Sequence, residues 1–215
     1  MSKPKHTIMK HEWKKFEKNL YWPMVKPENI IVPKLKFYTI QGEGDPDDEY
    51  FSEYIGVLFS LSYAIKMSPK SGQEPENYFD YAVYPLEGVW DINEEAKQKS
   101  EGKLDKKSLV YKLMIRQPSF VTAGYATEII EMTKKKKPHE LLDSVKFEEV
   151  EEGRCIQMLH IGSYDSEPQS FIQMEQFAGE QQLKRKSQAH HEIYLSDARK
   201  TSPERSKTIL RFQVE

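Results

Sequence analysis

The 215-residue chain carries 32 Lys and Arg residues against 34 Asp and Glu residues, which gives a formal net charge of −2. Nucleic-acid-binding domains usually present a strongly basic face, so this balance argues against direct nucleic-acid binding. No apolar run approaches the roughly 20 residues needed to cross a bilayer, and residues 1–18 are too polar for a signal peptide. We therefore expect a cytoplasmic protein with no membrane contact.

The single cysteine, Cys155, excludes an internal disulfide framework and agrees with a reducing compartment. It falls inside a predicted strand, which favours a buried side chain over a nucleophile. The one basic run, residues 134–137, ends a predicted helix, where lysines interact favourably with the helix dipole. Neither feature indicates a functional site.

The first half of the chain predicts strands around one amphipathic helix. Residues 37–46 predict a strand that enters a Gly-rich turn, and residues 48–66 predict the helix. Further strands are predicted at residues 81–86 and 109–117. Residues 93–107 are charged and lack periodicity, which predicts a mobile hairpin loop.

The second half repeats this order after a connector helix predicted at residues 122–137. Residues 155–164 predict a strand and turn, residues 166–183 a helix, and residues 190–197 and 207–214 two strands. The repeated order predicts an α+β fold of two strand-helix-strand-strand modules in a single domain. We place the modules at residues 31–121 and 151–215 with a connector at 122–150, and we expect a cleft between them.

The residues that coincide in this repeat are few. An offset of 118 residues (162 − 44) aligns the following pairs: Gly44 with Gly162, Ile40 with Met158, Glu49 with Glu167, and Phe59 with Phe177. If the second half has a loop eight residues shorter, Ala82 falls on Glu192 and Tyr84 on Tyr194. The carboxylate of Glu192 is then a feature that the first module lacks.

Glu192 is the strongest candidate for a functional residue. Side chains alternate along a strand, so His190, Glu192 and Tyr194 share one face, while His191 and Ile193 share the other. A carboxylate removed from water costs several kcal/mol unless a partner compensates it, which invites a ligand explanation. The alternative is an edge strand whose polar face is simply hydrated.

Other candidates carry an ordinary structural alternative. Tyr54 lies on a predicted helix with a wide apolar arc, where it contacts either a ligand or the protein core. Glu87 and Trp90 follow a predicted strand, and Trp90 either caps the core or lines the mouth of the cleft. His160 is either a proton donor or a structural hydrogen-bonding residue.

Metal and phosphate sites are not indicated. His190 and His191 are adjacent and face opposite ways on a strand, so they cannot chelate one metal together, and no cluster has zinc spacing. Residues 42–44 are not a phosphate loop, because the acids that follow them would repel phosphate. We expect no metal and no cofactor.

Seven segments of the chain match a known pattern, and those at residues 157–164 and 190–197 are the most specific. The others are residues 11–15, 26–28, 37–46, 85–88 and 114–118. Through these segments the chain resembles the GyrI-like small-molecule-binding family along nearly its whole length. The resemblance implies two modules about a pseudo-twofold axis, an antiparallel sheet and a ligand cleft between the modules. In related multidrug-responsive regulators this domain holds planar, often cationic, aromatic drugs against a buried glutamate ringed by tyrosines.

Glu192 matches that glutamate, and Tyr164 matches one of the ring tyrosines. A free-standing subset of the family is associated with hydrolysis of cyclopropane-bearing, DNA-alkylating natural products. The resemblance therefore implies Glu192 as a base that orients water and Tyr164 or His160 as a donor to the substrate oxygen. It implies a slot for planar aromatic compounds that is lined by Tyr54, Glu87, Trp90, Met158 and Tyr194. The alternative is a non-catalytic protein that sequesters aromatic drugs or inhibits a protein partner such as DNA gyrase.

Overall fold

The computed structural model describes residues 10–98, 105–197 and 199–215. They form an eight-stranded antiparallel sheet with the strand order β1-β6-β8-β7-β3-β4-β2-β5. The strands are β1 (Glu28–Val32), β2 (Leu35–Glu43), β3 (Leu86–Ile92), β4 (Leu109–Gln117), β5 (Lys146–Val150), β6 (Gly153–Ile161), β7 (His190–Tyr194) and β8 (Lys207–Gln213).

The described residues also form six α-helices: α1 (Trp13–Phe16), α2 (Lys18–Tyr21), α3 (Phe51–Met67), α4 (Glu94–Gln98), α5 (Ala123–Lys136) and α6 (Glu167–Glu180). Helices α3 and α6 pack on the same face of the sheet, α3 through Phe51 and α6 through Ser170 and Phe171. Helix α2 packs on the opposite face, where the Tyr21 hydroxyl donates to Glu87. None of the helices in these ranges is long and apolar enough to span a membrane.

The strand order agrees with the predicted repeat of elements. Strands β3 and β7 are paired at the centre, β4 and β8 lie outside them, and β2 and β6 lie outside those. The turns that follow β2 and β6 each contain a glycine with positive φ, Gly44 at 107° and Gly162 at 152°. These strands, turns and helices confirm the α+β fold predicted from the order of elements.

Several elements end close to their predicted limits. Strand β4 coincides with the prediction at residues 109–117, and β8 ends one residue before the predicted limit. Helix α5 begins after Thr122, whose side chain accepts a hydrogen bond from the Tyr125 amide, and its last turn contains Lys134, Lys135 and Lys136. Cys155 is fully buried, and burial raises the pKa of its thiol to about 12, as expected of an unreactive core residue.

The strand predicted at residues 81–86 is wrong. The strand begins at Leu86, after Pro85, and Tyr81 forms only an isolated bridge with His11. Proline lacks an N–H and has a fixed φ, so it interrupts a sheet ladder at this position. Tyr81 and Tyr84 are buried by ring packing rather than by strand pairing. The alignment of Ala82 with Glu192 and of Tyr84 with Tyr194 is therefore invalid.

The loop predicted at residues 93–107 is only partly a loop. Residues 94–98 form helix α4, with Glu94 and Glu95 in the first turn and Lys97 in the last. Acidic residues at the start and a basic residue at the end favour a short helix without any apolar periodicity. Residues 99–104 lie outside the described part of the chain.

Candidate functional site

Glu192 lies at the centre of the sheet, on β7 opposite Gly88 of β3. The residue is only 7% exposed, and its Oε1 lies 2.9 Å from Nε2 of His190, two residues earlier on the same face. The predicted alternation along this strand is therefore confirmed, and an edge strand with a hydrated polar face is excluded. The carboxylate is buried on the face that α3 and α6 cover.

Aromatic rings form one wall beside Glu192. The indole of Trp90 is buried, and its Nε1 donates a hydrogen bond of 2.7 Å to the hydroxyl of Tyr194. Its ring centroid lies 5.1 Å from Tyr111 and 6.0 Å from Phe51. Tyr54 is half-buried and meets Tyr111 edge-on at 5.9 Å. Trp90, Tyr194 and Tyr54 thus belong to one cluster, together with two rings that the sequence did not single out.

The hydroxyl of Tyr194 connects this wall to the carboxylate. Burial, the negative charge of Glu192 and a hydrogen bond to Glu192 raise the pKa of Tyr194 well above its ordinary value. Tyr194 therefore keeps its proton and accepts the Trp90 N–H. The chain Trp90–Tyr194–Glu192 fixes the orientation of all three side chains.

Gly88 leaves space for the Trp90 indole and the Tyr194 hydroxyl. A Cβ atom added at Gly88 would lie 2.8 Å from Nε1 of Trp90 and 3.3 Å from the hydroxyl of Tyr194. The first contact is too close for a carbon atom and the second is tight, so any larger residue would displace the indole. The glycine at this position therefore lets the Trp90 indole lie close to the sheet.

Glu167 is a second carboxyl group at the site, which the sequence prediction missed. It is the first residue of α6 and is 6% exposed, and its Oε1 has no hydrogen-bond partner within the described ranges. Burial and then the charge of Glu192 raise the pKa of Glu167 well above its usual range. An acid at a helix N-terminus ordinarily indicates a dipole interaction at the surface, so its burial could not be predicted from the sequence.

Tyr164 lies at the rim of the site. The residue is 55% exposed, and its ring meets the Tyr194 ring edge-on at 6.4 Å. Desolvation of its hydroxyl and the charges of Glu192 and Glu167 raise the pKa of Tyr164 to about 12. Tyr164 therefore lies near Glu192. These are the two residues that the resemblance matches to a ring tyrosine and to the buried glutamate.

His160 and Met158 lie on β6, and their side chains are on the same face of the sheet as Glu192. The ring of His160 is 4% exposed, with Nδ1 2.9 Å from the Ser170 hydroxyl and Nε2 3.1 Å from the Ser163 carbonyl. Met158 is buried in a separate apolar cluster with Met174, Leu210 and Phe212 beneath α6. Both residues therefore pack against α6 rather than forming part of the aromatic wall described above.

Glu87 lies outside this site, which corrects its predicted place among the residues that contact the ligand. It pairs with Ile193 in the sheet and so faces the side opposite to Glu192. There it accepts a hydrogen bond from the Tyr21 hydroxyl at 3.1 Å and lies 2.9 Å from Nε2 of His191. The prediction placed Glu87 at a turn, but it is an interior strand residue whose face is set by alternation.

The chemistry available here is that of two carboxyl groups, phenol hydroxyls and stacking rings. No group of three or more His, Cys, Asp or Glu side chains in the described residues is arranged to hold a metal ion. A neutral carboxyl close to a charged one provides an acid and a base in the same site.

Comparison with known proteins agrees with this fold. The model of the GyrI-like small-molecule-binding domain matches residues 26–215. The crystal structure of a hydrolase from Listeria innocua is 37% identical, with a TM-score of 0.86 over 96% of this chain and 100% of that chain. A second hydrolase structure from Listeria innocua is 38% identical, with a TM-score of 0.87 over the same shares of the two chains.

More distant similarity extends to the C-terminal domain of EcmrR. That domain is 13% identical, with a TM-score of 0.50 over 88% of this chain and 97% of that chain, and it shows the fold alone. Among curated proteins, none matches the chain.

The fold and the family model together define a small-molecule-binding α+β domain. With its family model matched over residues 26–215, the chain belongs to the GyrI-like small-molecule-binding domain family.

Proposed function

We propose that this protein is a detoxifying hydrolase that binds planar aromatic compounds beside Glu192 and opens the cyclopropane ring of DNA-alkylating toxins with water. The observation that carries the proposal is the pair of buried carboxyl groups, Glu192 and Glu167, next to the ring wall of Trp90 and Tyr111. The similarity to hydrolases of Listeria innocua supports hydrolysis as the reaction class.

The reaction needs a base for water and an acid for the substrate oxygen. In a cyclopropane fused to a dienone, the water oxygen attacks a ring carbon while the strained C–C bond breaks. The bonding electrons move through the dienone to its carbonyl oxygen, which becomes a phenol. Glu192 takes the proton from the water, and Glu167 supplies one to the phenol oxygen. Proton exchange with solvent then restores both residues, so the net change is addition of one water.

The other side chains orient these groups. His190 contacts Oε1 of Glu192 at 2.9 Å and Tyr194 bonds to the same carboxylate, so the base is held toward the aromatic wall. Tyr164 is a hydroxyl donor at the rim with its proton retained at neutral pH. Trp90 and Tyr54 provide surfaces on which a planar ligand stacks.

The second candidate is a non-catalytic binding protein that sequesters aromatic drugs or acts on a protein partner. The observation that favours it is a buried negative charge, Glu192, beside aromatic faces, which is an arrangement that also attracts a planar cation. Both functions use the same site. They differ in whether the bound compound is converted to product.

Substitution of the two carboxyl groups tests the proposal. Glu192→Gln and Glu167→Gln each keep the side-chain shape, and each is expected to lower the rate of ring opening by about two to four powers of ten. Glu49→Gln is the matched control, because Glu49 is exposed and corresponds to Glu167 at the offset of 118 residues (167 − 49). The rate is measured by chromatography of a cyclopropane-fused dienone and its alcohol product. Equal rates in Glu192→Gln and Glu49→Gln would contradict the catalytic role.

A further inference from the structure

The ring of His160 is held by polar groups on both sides. Its Nε2 lies 3.1 Å from the carbonyl oxygen of Ser163, which only accepts hydrogen bonds, so Nε2 carries a proton and donates it. In the neutral ring Nδ1 is then an acceptor, and the Ser170 hydroxyl donates to it at 2.9 Å. Both nitrogens are engaged within the protein, so the ring has no free proton for a substrate.

The contacts of His160 hold the turn between β6 and α6. The hydroxyl of Ser166 lies 3.2 Å from Nε2 of His160 and donates to the Ser163 carbonyl at 2.7 Å. Gly162 makes room for this packing, because a Cβ there would lie 2.6 Å from the Ser166 hydroxyl and 3.1 Å from Nε2. The turn is therefore built around the imidazole ring.

The same turn carries two groups of the candidate site. Tyr164 lies within it, and Glu167 follows directly as the first residue of α6. Ser170 lies three residues after Glu167, so it falls nearly one helical turn later on the same side of α6. His160 thus connects β6 to both ends of the segment that presents Tyr164 and Glu167.

We propose that His160 is a positioning residue that acts through the 163–166 turn and Ser170 to hold Glu167 against Glu192. This inference rests on the proposed function of the two carboxyl groups. It assigns His160 a role distinct from that of a proton donor to substrate, since its N–H points at the Ser163 carbonyl in the turn and its Nδ1 accepts from Ser170 of α6. Loss of the contacts would let the start of α6 move and admit water to Glu167.

Ser170→Ala tests this role with little loss of packing volume. It removes the hydroxyl that donates to Nδ1 and leaves the imidazole in place. Ser62→Ala is the matched control, because Ser62 is equally buried on α3 and its hydroxyl accepts from another side chain, Nε2 of Gln117 at 2.9 Å. Ser170→Thr, which restores a hydroxyl, is the rescue variant, and His160→Gln is a second, independent change.

Two readouts are measured on each variant. The first is the pKa of Glu167, obtained by ¹³C NMR titration of glutamate-labelled protein and assigned with Glu167→Gln. The second is the kcat and KM of cyclopropane opening. We expect Ser170→Ala and His160→Gln to move the Glu167 pKa down toward its ordinary value. We also expect them to lower kcat roughly ten- to a hundredfold with KM within about threefold, because small misplacements of catalytic groups cost this much. Ser170→Thr restores both values, and Ser62→Ala changes neither.

An unchanged Glu167 pKa and kcat in both Ser170→Ala and His160→Gln would overturn the positioning role. An equal effect of Ser62→Ala would also overturn it, because the change would then reflect general loss of stability. The NMR readout is independent of turnover. A low Glu167 pKa in the unmodified protein therefore contradicts the proposed function, whereas a raised pKa that no variant moves contradicts only the role of His160.

Discussion

Glu192 and Glu167 reach one site from two different elements, a central strand and the start of a helix. The first was predictable, because a carboxylate between aromatic residues on a strand is unusual in sequence. The second was not, because an acid at a helix start is common and its burial depends on how α6 packs on the sheet. The faces of His190, Glu192 and Tyr194 followed from alternation alone, whereas the assignment of Glu87 failed because its strand was misplaced.

Gly88→Ala tests the fit of the aromatic wall. The added methyl would lie 2.8 Å from Nε1 of Trp90 and 3.3 Å from Leu113, so we expect a loss of about 1–3 kcal/mol in the free energy of unfolding. Urea denaturation measures the loss, and a change in tryptophan fluorescence reports the displaced indole. Gly56→Ala on α3 is the control, since a Cβ there meets nothing within 4 Å and alanine favours a helix. Equal stability of Gly88→Ala and Gly56→Ala would contradict the prediction that the side chains around Gly88 leave no room for a methyl group.

Glu192→Gln separates charge from shape in ligand binding. A rhodamine-type planar cation is expected to bind the unmodified protein at micromolar concentration. We expect the variant to bind the cation at least about tenfold more weakly and a neutral planar aromatic about as well as before, since an unpaired buried charge is costly. Fluorescence titration with both ligands measures this. Parallel losses for the two ligands would contradict an electrostatic role.

Strand β7 carries side chains with different roles on the two faces of the sheet. On the face opposite the site, His191 lies between Glu87, at 2.9 Å from Nε2, and Glu152, at 3.0 Å from Nδ1. Burial lowers the pKa of His191, but the two carboxylates outweigh burial and raise it to about 9. The ion pairs hold β3 and β7 together next to Gly88 and Glu192. The sequence predicted β7 but not this cluster, because the partners of His191 are 104 and 39 residues away (191 − 87; 191 − 152).

The raised pKa of His191 predicts a pH dependence of stability. A histidine whose pKa rises from 6.5 to about 9 on folding stabilises the protein fully below pH 6.5, and the contribution disappears as pH rises through 9. We expect the free energy of unfolding to fall by up to about 3 kcal/mol across this window. His191→Gln should show a flatter curve over the same range. Chemical denaturation at several pH values measures both curves, and identical slopes would contradict the assignment.

Across the whole molecule, charged groups attach residues 10–22 to the face of the sheet opposite the candidate site. Glu17 is the centre of this attachment, with Nε2 of His11 at 2.8 Å, the Tyr84 hydroxyl at 2.7 Å and Nη1 of Arg116 at 2.5 Å. On β8, Arg211 donates to Glu152 and to the carbonyl of Leu20. The N-terminal segment therefore closes the side of the sheet that the ligand site does not use. Composition alone indicated a balanced charge, but not that Arg211 is buried on this face of the sheet.

Glu17→Gln tests this attachment. Burial raises the pKa of Glu17, but Arg116 and three hydrogen bonds lower it overall, so the carboxylate is ionised. Removal of its charge leaves the largely buried Arg116 uncompensated, and we expect a loss of roughly 3 kcal/mol in the free energy of unfolding. Glu12→Gln is the control in the same segment, because its ion pair with Lys15 is exposed and contributes little. Equal effects of the two substitutions would contradict a structural role for the buried charges.

The number of product molecules formed per protein molecule distinguishes hydrolysis from sequestration. A cyclopropane-fused dienone is incubated with protein at about one-hundredth of its concentration, and the ring-opened alcohol is quantified by chromatography. We expect the unmodified protein to convert nearly all of the compound, while Glu192→Gln converts it at a rate about two to four powers of ten lower. Product that stops at one equivalent of the protein would contradict hydrolysis and leave ligand sequestration as the function of the site.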